Sequence, residues 1–174
     1  MGPSMSLEPR DMPAAETVPD IWHKLQALAA NDKPSTFKLR TALLTQGRTD
    51  TPLAATQDLT LVLKVYASGG ENELHAHPQE DHAFIVLQGQ AAFFGPNDEA
   101  VTLEPMQGIM LPRNSFYRFH AVDGAPLVLL RVGTPANHRM PRPTRIAADG
   151  HVMQGDSAEN KTVPVVFDAG RYFG

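Results

Sequence analysis

Gly69-Gly70-Glu71-Asn72-Glu73-Leu74-His75-Ala76-His77-Pro78-Gln79-Glu80-Asp81-His82-Ala83-Phe84-Ile85-Val86-Leu87-Gln88-Gly89 holds three of the chain's seven histidines. His75 and His77 are two apart, so on an extended backbone both imidazoles leave the same face. Such a pair chelates one ion when further donors converge from a neighbouring strand. Asp81 to Gln88 supplies that strand: it is rich in β-branched and aromatic residues, ends at a glycine and carries His82 in its first turn. Imidazoles suit Fe, Zn, Ni, Cu or Mn better than Mg or Ca, which want oxygen.

Outward from this stretch the pattern is that of strands. Thr36 to Leu44 and Gln57 to Tyr66 alternate with period two, separated by a polar loop around Gly47 and Pro52. Downstream, short apolar runs follow at Asp81–Gln88, Gln90–Phe94, Ala100–Leu103, Gly108–Leu111, Phe116–Val122 and Pro126–Val132. Turn residues punctuate them: Gly95-Pro96-Asn97-Asp98, Glu104-Pro105 and Asp123-Gly124. Many short strands at this spacing predict an all-β sandwich or barrel. Ahead of them, Asp20 is placed to cap a short helix over Ile21 to Ala30, whose stripe of Ile21, Trp22, Leu25, Leu28 and Ala29 should pack on the outside of a sheet.

The spacing Gly69-x5-His75-x-His77-x4-His82-x6-Gly89 resembles the first sequence motif of the cupins, small β-barrel metalloproteins. That family's third ligand is normally glutamate; here the register puts His82 in the place, with Glu80 and Asp81 beside it. The second cupin motif is partly matched by Gly108-Ile109-Met110-Leu111-Pro112-Arg113-Asn114-Ser115-Phe116-Tyr117, with Asn114 in a glycine position and Tyr117 where a fourth ligand histidine would stand. The resemblance covers about residues 57–133. It implies an all-β, cupin-type double-stranded β-helix (jelly-roll) barrel, one divalent transition metal, and a homodimer.

The division expected is a flexible leader over residues 1–19, a barrel domain with its helix over 20–134, and an extended arm over 135–174. The arm is expected to pack on the barrel or a partner, with one strand at Val163 to Phe167. The leader is polar and proline-rich, unlike a signal peptide. A net charge of −4 without a Lys/Arg stripe argues against nucleic acid as a partner. No apolar stretch is long enough for a membrane span, so a cytoplasmic protein is expected. With no cysteine, metal ligands must be histidine or carboxylate.

The expected ligands are His75, His77 and His82, with iron first and Zn, Ni, Mn or Cu as alternatives. In the other arrangement Glu80 is the carboxylate donor and His82 orients a ligand through its second ring nitrogen. Tyr117 is either a core aromatic or a pocket hydroxyl that hydrogen-bonds substrate; with Glu80 it is the candidate for moving a proton. Phe84 and Val86 share the face of His82 and should line the pocket, joined by Phe93 and Phe119. Arg40 and Arg131 lie in strands, where each either faces solvent or holds a substrate carboxylate. Neutral imidazoles alone leave a divalent ion at about +2, which favours a small anionic oxygen ligand. The resemblance implies a non-haem iron dioxygenase acting on an organic acid, diketone or phenolic. The alternatives are a Zn-, Ni- or Mn-dependent isomerase, lyase or cyclase, and a non-catalytic ligand-binding or sensor protein.

Overall fold

A computed structural model describes residues 8–134, 145–153 and 163–174. Helix α1 spans Val18–Ala29 and starts one turn earlier than expected. Thr17 is its cap: the Thr17 hydroxyl accepts the Asp20 N–H at 3.3 Å. Asp20 lies inside the first turn, where its carboxylate accepts the Glu16 N–H and pairs with Lys24 at 2.7 Å. Pro19 is tolerated because first-turn N–H groups have no partner within a helix.

The strands are β1 (Thr41–Gln46), β2 (Arg48–Ala55), β3 (Thr60–Tyr66), β4 (His75–Ala76), β5 (Asp81–Gln88), β6 (Ala91–Phe94), β7 (Ala100–Leu103), β8 (Gly108–Leu111), β9 (Arg118–Ala121), β10 (Leu127–Thr134), β11 (Ile146–Ala147) and β12 (Val166–Phe173). An antiparallel sheet in the order β2-β3-β10-β5-β8 faces a three-stranded sheet, β7-β6-β9. Two-stranded pairs β1–β12 and β11–β4 complete the jelly roll. The helix, the packed sheets and the antiparallel pairing make this an all-β fold with one helical appendage.

Between the two larger sheets lies a core of Tyr66, Phe84, Val86, Phe93, Leu111, Tyr117, Phe119, Leu127 and Leu129, among others. Register decides what shares that inward face. Leu129 pairs with Lys64 and Val86, Arg131 with Val62 and Phe84, and Gly133 with Thr60 and His82. On the other side of β3, Arg48 pairs with Tyr66 and Asp50 with Lys64. Directly opposed residues of antiparallel strands point to the same face. The inward face therefore runs from aromatic at one end to charged at the other.

Four expectations change here. The polar loop around Pro52 is strand β2, an edge strand with a register shift between Pro52 and Ala54. A proline is accepted there because an edge needs no N–H on its outer side. The helix packs Leu25 and Ala29 against Ala55 and Val62. Since Val62 shares a strand face with Lys64 and Tyr66, the helix covers the inward margin of the sheet rather than its outside. From Glu8 onward the expected leader is held: the Lys38 N–H donates to the Arg10 carbonyl at 2.8 Å and the Ala15 N–H to Asp50 at 2.8 Å. Residues 1–7 lie outside the described residues. In the arm, the strand expected at Val163–Phe167 is β12, which begins later and runs to Phe173 against β1. Residues 135–144 and 154–162 of the arm lie outside the described residues.

Candidate metal centre

His75 and His77 enter the barrel from opposite β9 and the turn before it. The His75 N–H donates to the Tyr117 carbonyl at 3.1 Å, and the Tyr117 N–H returns a bond to His75 at 3.0 Å. The Asn114 N–H donates to the His77 carbonyl at 3.0 Å. Asn114 has φ +67°, a left-handed conformation that asparagine tolerates, which is why it serves in a glycine position of the motif. The short strand β4 is thereby fixed at both ends, and the two imidazoles with it.

The ligand atoms that converge belong to His77, Glu80 and His82, all within 4.8 Å of one another. This group holds two histidines and a carboxylate, not the three histidines expected. His75 is buried beside it, with ring centroids 5.1 Å from His77 and 4.6 Å from Tyr117, but it is not part of the group. Its Nδ1 lies 2.7 Å from the Glu73 carbonyl, which can only accept; Nδ1 therefore carries the proton. Glu80 had a signal in the sequence. Period two back from Phe84 and His82 reaches Glu80, so all three share a face.

Glu80 is almost fully buried, with 2 % exposure. Its Oε1 accepts from Arg131 Nη2 at 2.7 Å. Burial pushes its pKa up, but the Arg131 guanidinium and the His82 contact outweigh that and hold it below the usual value. Burial lowers the His82 pKa to about 4, assisted by Arg131 and opposed by Glu80. Burial also holds His75 and His77 well below their ordinary value. At neutral pH the centre is thus three neutral imidazoles and one carboxylate.

Proton counting tests whether these residues fit a metal. His82 Nε2 lies 2.7 Å from Arg131 Nη2 and 3.0 Å from Glu80 Oε2. A neutral imidazole nitrogen either donates or accepts, so no tautomer suits both neighbours. In addition, His77 Nδ1 and Glu80 Oε2 are buried without a hydrogen-bond partner, 3.9 Å apart. Buried polar atoms without partners call for an explanation, and a shared cation is one. Three lone-pair atoms around one point, two nitrogen and one oxygen, fit a divalent transition ion.

The other expected site residues divide. Tyr117 is buried, with its hydroxyl 3.4 Å from His82 Nδ1. Burial raises its pKa beyond the usual tyrosine range, so the phenol stays protonated. Phe84 stands edge-on to His82 at 5.9 Å and 6.0 Å from Tyr117. Phe93 and Phe119 stack at 4.8 Å beneath Tyr117, and Val86 is buried in the same cluster. Arg131 faces inward. Arg40 does not belong to this wall: it is an exposed residue bonded to the Gly174 carbonyl and stacked on Tyr172 at 4.4 Å. Its neighbour is the chain's C-terminal segment, away from the converging ligands.

Arg145 was not expected. Residues Ile146 and Ala147 pair with Ala76 and His75. Arg145 immediately precedes this pair, close enough for its charge to act on both histidines. Its charge lowers the pKa of both histidines, after burial in each case. Nothing local in the sequence signals this, because the pairing joins segments about 70 residues apart. The inward face thus carries Arg48, Lys64, Arg131 and Arg145 against Asp50 and Glu80.

The model of the cupin domain matches residues 62–133. None of the curated proteins matches the chain. Among solved structures, KdgF from Halomonas sp. is 21 % identical, with 51 % of this chain and 79 % of that one covered and a TM-score of 0.48. A protein with a double-stranded β-helix domain from Klebsiella pneumoniae is 18 % identical, covering 53 % of this chain and 80 % of its own, TM-score 0.48. The Cnp3 cupin domain of Schizosaccharomyces pombe is 15 % identical, covering 53 % and 67 %, TM-score 0.47. The domain match runs from β3 to β10 and takes in the His-x-His pair, the three-stranded sheet and the five-stranded sheet apart from β2. Residues 62–133 of this jelly roll, where the buried donors converge, thus match a cupin domain.

Proposed function

We propose that the chain is a metal-dependent cupin enzyme acting on a small anionic molecule, with non-haem iron dioxygenase chemistry as the first reading. The observation that carries it is the convergence of His77, Glu80 and His82 beneath a cationic wall. Two histidines and one carboxylate are the donor set of open-sided Fe(II) oxygenase centres. An Fe(II) ion held there would supply Lewis-acid activation of a chelating anion and electrons for O2.

The chain's own residues would do the rest. Four cations against two carboxylates on the inward face favour an anion at the centre and disfavour a neutral or cationic ligand. Tyr117, kept protonated by burial, donates a hydrogen bond and does not act as a base. Phe84, Phe93 and Phe119 keep the floor of the pocket dry, which strengthens each charge–charge contact. Glu80 is here a ligand rather than a proton carrier.

A second reading, a Zn-, Ni- or Mn-dependent isomerase, lyase or cyclase, is favoured by one contact. The Tyr117 hydroxyl next to His82 Nδ1 offers a two-group path for a proton. Elemental analysis of untagged protein, followed by oxygen-uptake assays on Fe(II)-loaded protein with small carboxylates, diketones and phenolic acids, separates the two. Near-stoichiometric iron with substrate-dependent O2 consumption is expected. Bound zinc or nickel with turnover that consumes no O2 would move the assignment to the second reading, and no bound metal would overturn both.

A further inference from the structure

Arg131 stands where a metal would have to work. Its Nη2 lies 2.7 Å from Glu80 Oε1 and 2.7 Å from His82 Nε2. It thus bridges two of the three converging ligands, and all three residues are buried. The arrangement is built rather than incidental. Gly133, opposite His82 on β10, leaves the room: a Cβ at Gly133 would collide with Glu80 Oε1 and press on Arg131 Nη1.

An imidazole nitrogen has one in-plane lone pair. While His82 Nε2 accepts an Arg131 N–H, that lone pair is not available to a metal. A guanidinium within hydrogen-bonding distance also repels a divalent ion in a buried site far more than it would in water. Glu80 does not impose the same exclusion, because its two oxygens can be divided: Oε1 to Arg131, Oε2 toward His77 and His82.

We propose that Arg131 is an internal cation that competes with the metal for His82 and so sets the affinity of the centre. In the metal-free protein its guanidinium neutralises Glu80 and bridges to His82. On metal binding it releases His82 only and stays on Glu80 Oε1, orienting the carboxylate from outside the coordination sphere. The inference rests on the metal-centre reading above, and it concerns affinity, not turnover.

The test uses the full chain stripped with chelator and titrated with Co2+ alone, read by the cobalt absorption bands and by competition with a chromophoric chelator. Arg131→Met removes the competitor. Arg131→Lys is the safeguard for folding, because an ammonium keeps a charge on Glu80 but is too short and too compact to bridge to His82 as well. Circular dichroism confirms that each variant is folded. At least tenfold tighter Co2+ binding is expected in Arg131→Lys, and in Arg131→Met where it folds, with a larger metal-induced rise in melting temperature than in the parent. Equal or weaker binding in the variants, with a parent that binds Co2+, would overturn the competition and leave the metal centre standing. Binding by neither parent nor variants would overturn the metal centre and the competition with it.

Discussion

Ala147 lies directly opposite His75 in a two-residue antiparallel pair that ties the C-terminal arm to the histidine strand. This pairing brings the charge of Arg145 to bear on His75 and His77 and makes the arm part of the wall of the centre. Replacing Arg145 by glutamine should weaken the binding of oxalate, a minimal chelating anion, to the metal-loaded protein by about tenfold, or about 1.4 kcal/mol. Arg145→Lys should recover part of the loss, since the charge is kept and the planar fork is not. Isothermal titration measures both. Unchanged oxalate affinity in Arg145→Gln would remove the arm from ligand recognition.

Gly133 faces the Glu80–Arg131 pair closely enough that a methyl group there has no space. Gly133→Ala should therefore destabilise the protein by about 1–3 kcal/mol through overpacking. Much of the cost should vanish in the background of Glu80→Ala, which removes the atoms that the methyl would strike. Urea midpoints of the four proteins form a double-mutant cycle. Additive effects would mean that the glycine serves some other purpose.

Strand β5 was legible because His82, Phe84 and Val86 alternate with Ala83 and Ile85, and only one face is buried deeply. The glycine-bounded histidine spacing pointed to the right barrel for the same reason: turn geometry and pleat are local. Strand β2 was hidden by Pro52 and its polar neighbours, which an edge position excuses. The charged wall could not be seen. Arg131 and Glu80 are 51 residues apart, and only the register of β10 on β5 brings the guanidinium to the carboxylate. Arg40 and Arg131 look alike as strand arginines, yet one meets the chain terminus and the other a buried anion. Those fates are decided by tertiary partners, not by local pattern.

Lys64 is half-buried beside Asp50, their charged atoms 2.5 Å apart. Burial lowers the Lys64 pKa to about 8, with Asp50 opposing and Arg131 adding to the shift. Its unfolded value is near 10.5, so between about pH 8 and 10.5 the unfolded chain binds more protons than the folded one. Stability contributed by this site should therefore rise with pH in that window, by at most on the order of 3 kcal/mol. Above about pH 10 the buried Tyr66 and Tyr117, whose pKa values are raised, act in the opposite direction. Urea unfolding at pH 7.5 and 9.5 should show the wild type gaining on Lys64→Met. Parallel behaviour of the two proteins would sink the assignment.

His75 and His77 look equivalent in the sequence, two apart on one strand face, but the fold separates them. His77 Nδ1 is a buried atom without a partner, aimed at Glu80 and His82. His75 spends its Nδ1 proton on the Glu73 carbonyl and packs its ring on Tyr117. His77→Ala should therefore cost about a hundredfold or more in Co2+ affinity, as expected for a lost ligand. His75→Ala should cost about tenfold, the scale of a group that supports ligands without coordinating. Chelator competition on the purified variants gives both numbers, and elemental analysis gives the stoichiometry retained. If the two substitutions weaken binding equally, the ion is held by the His-x-His pair. Glu80 then belongs to Arg131 alone, and the converging triad is an ion-pair site instead of a coordination sphere.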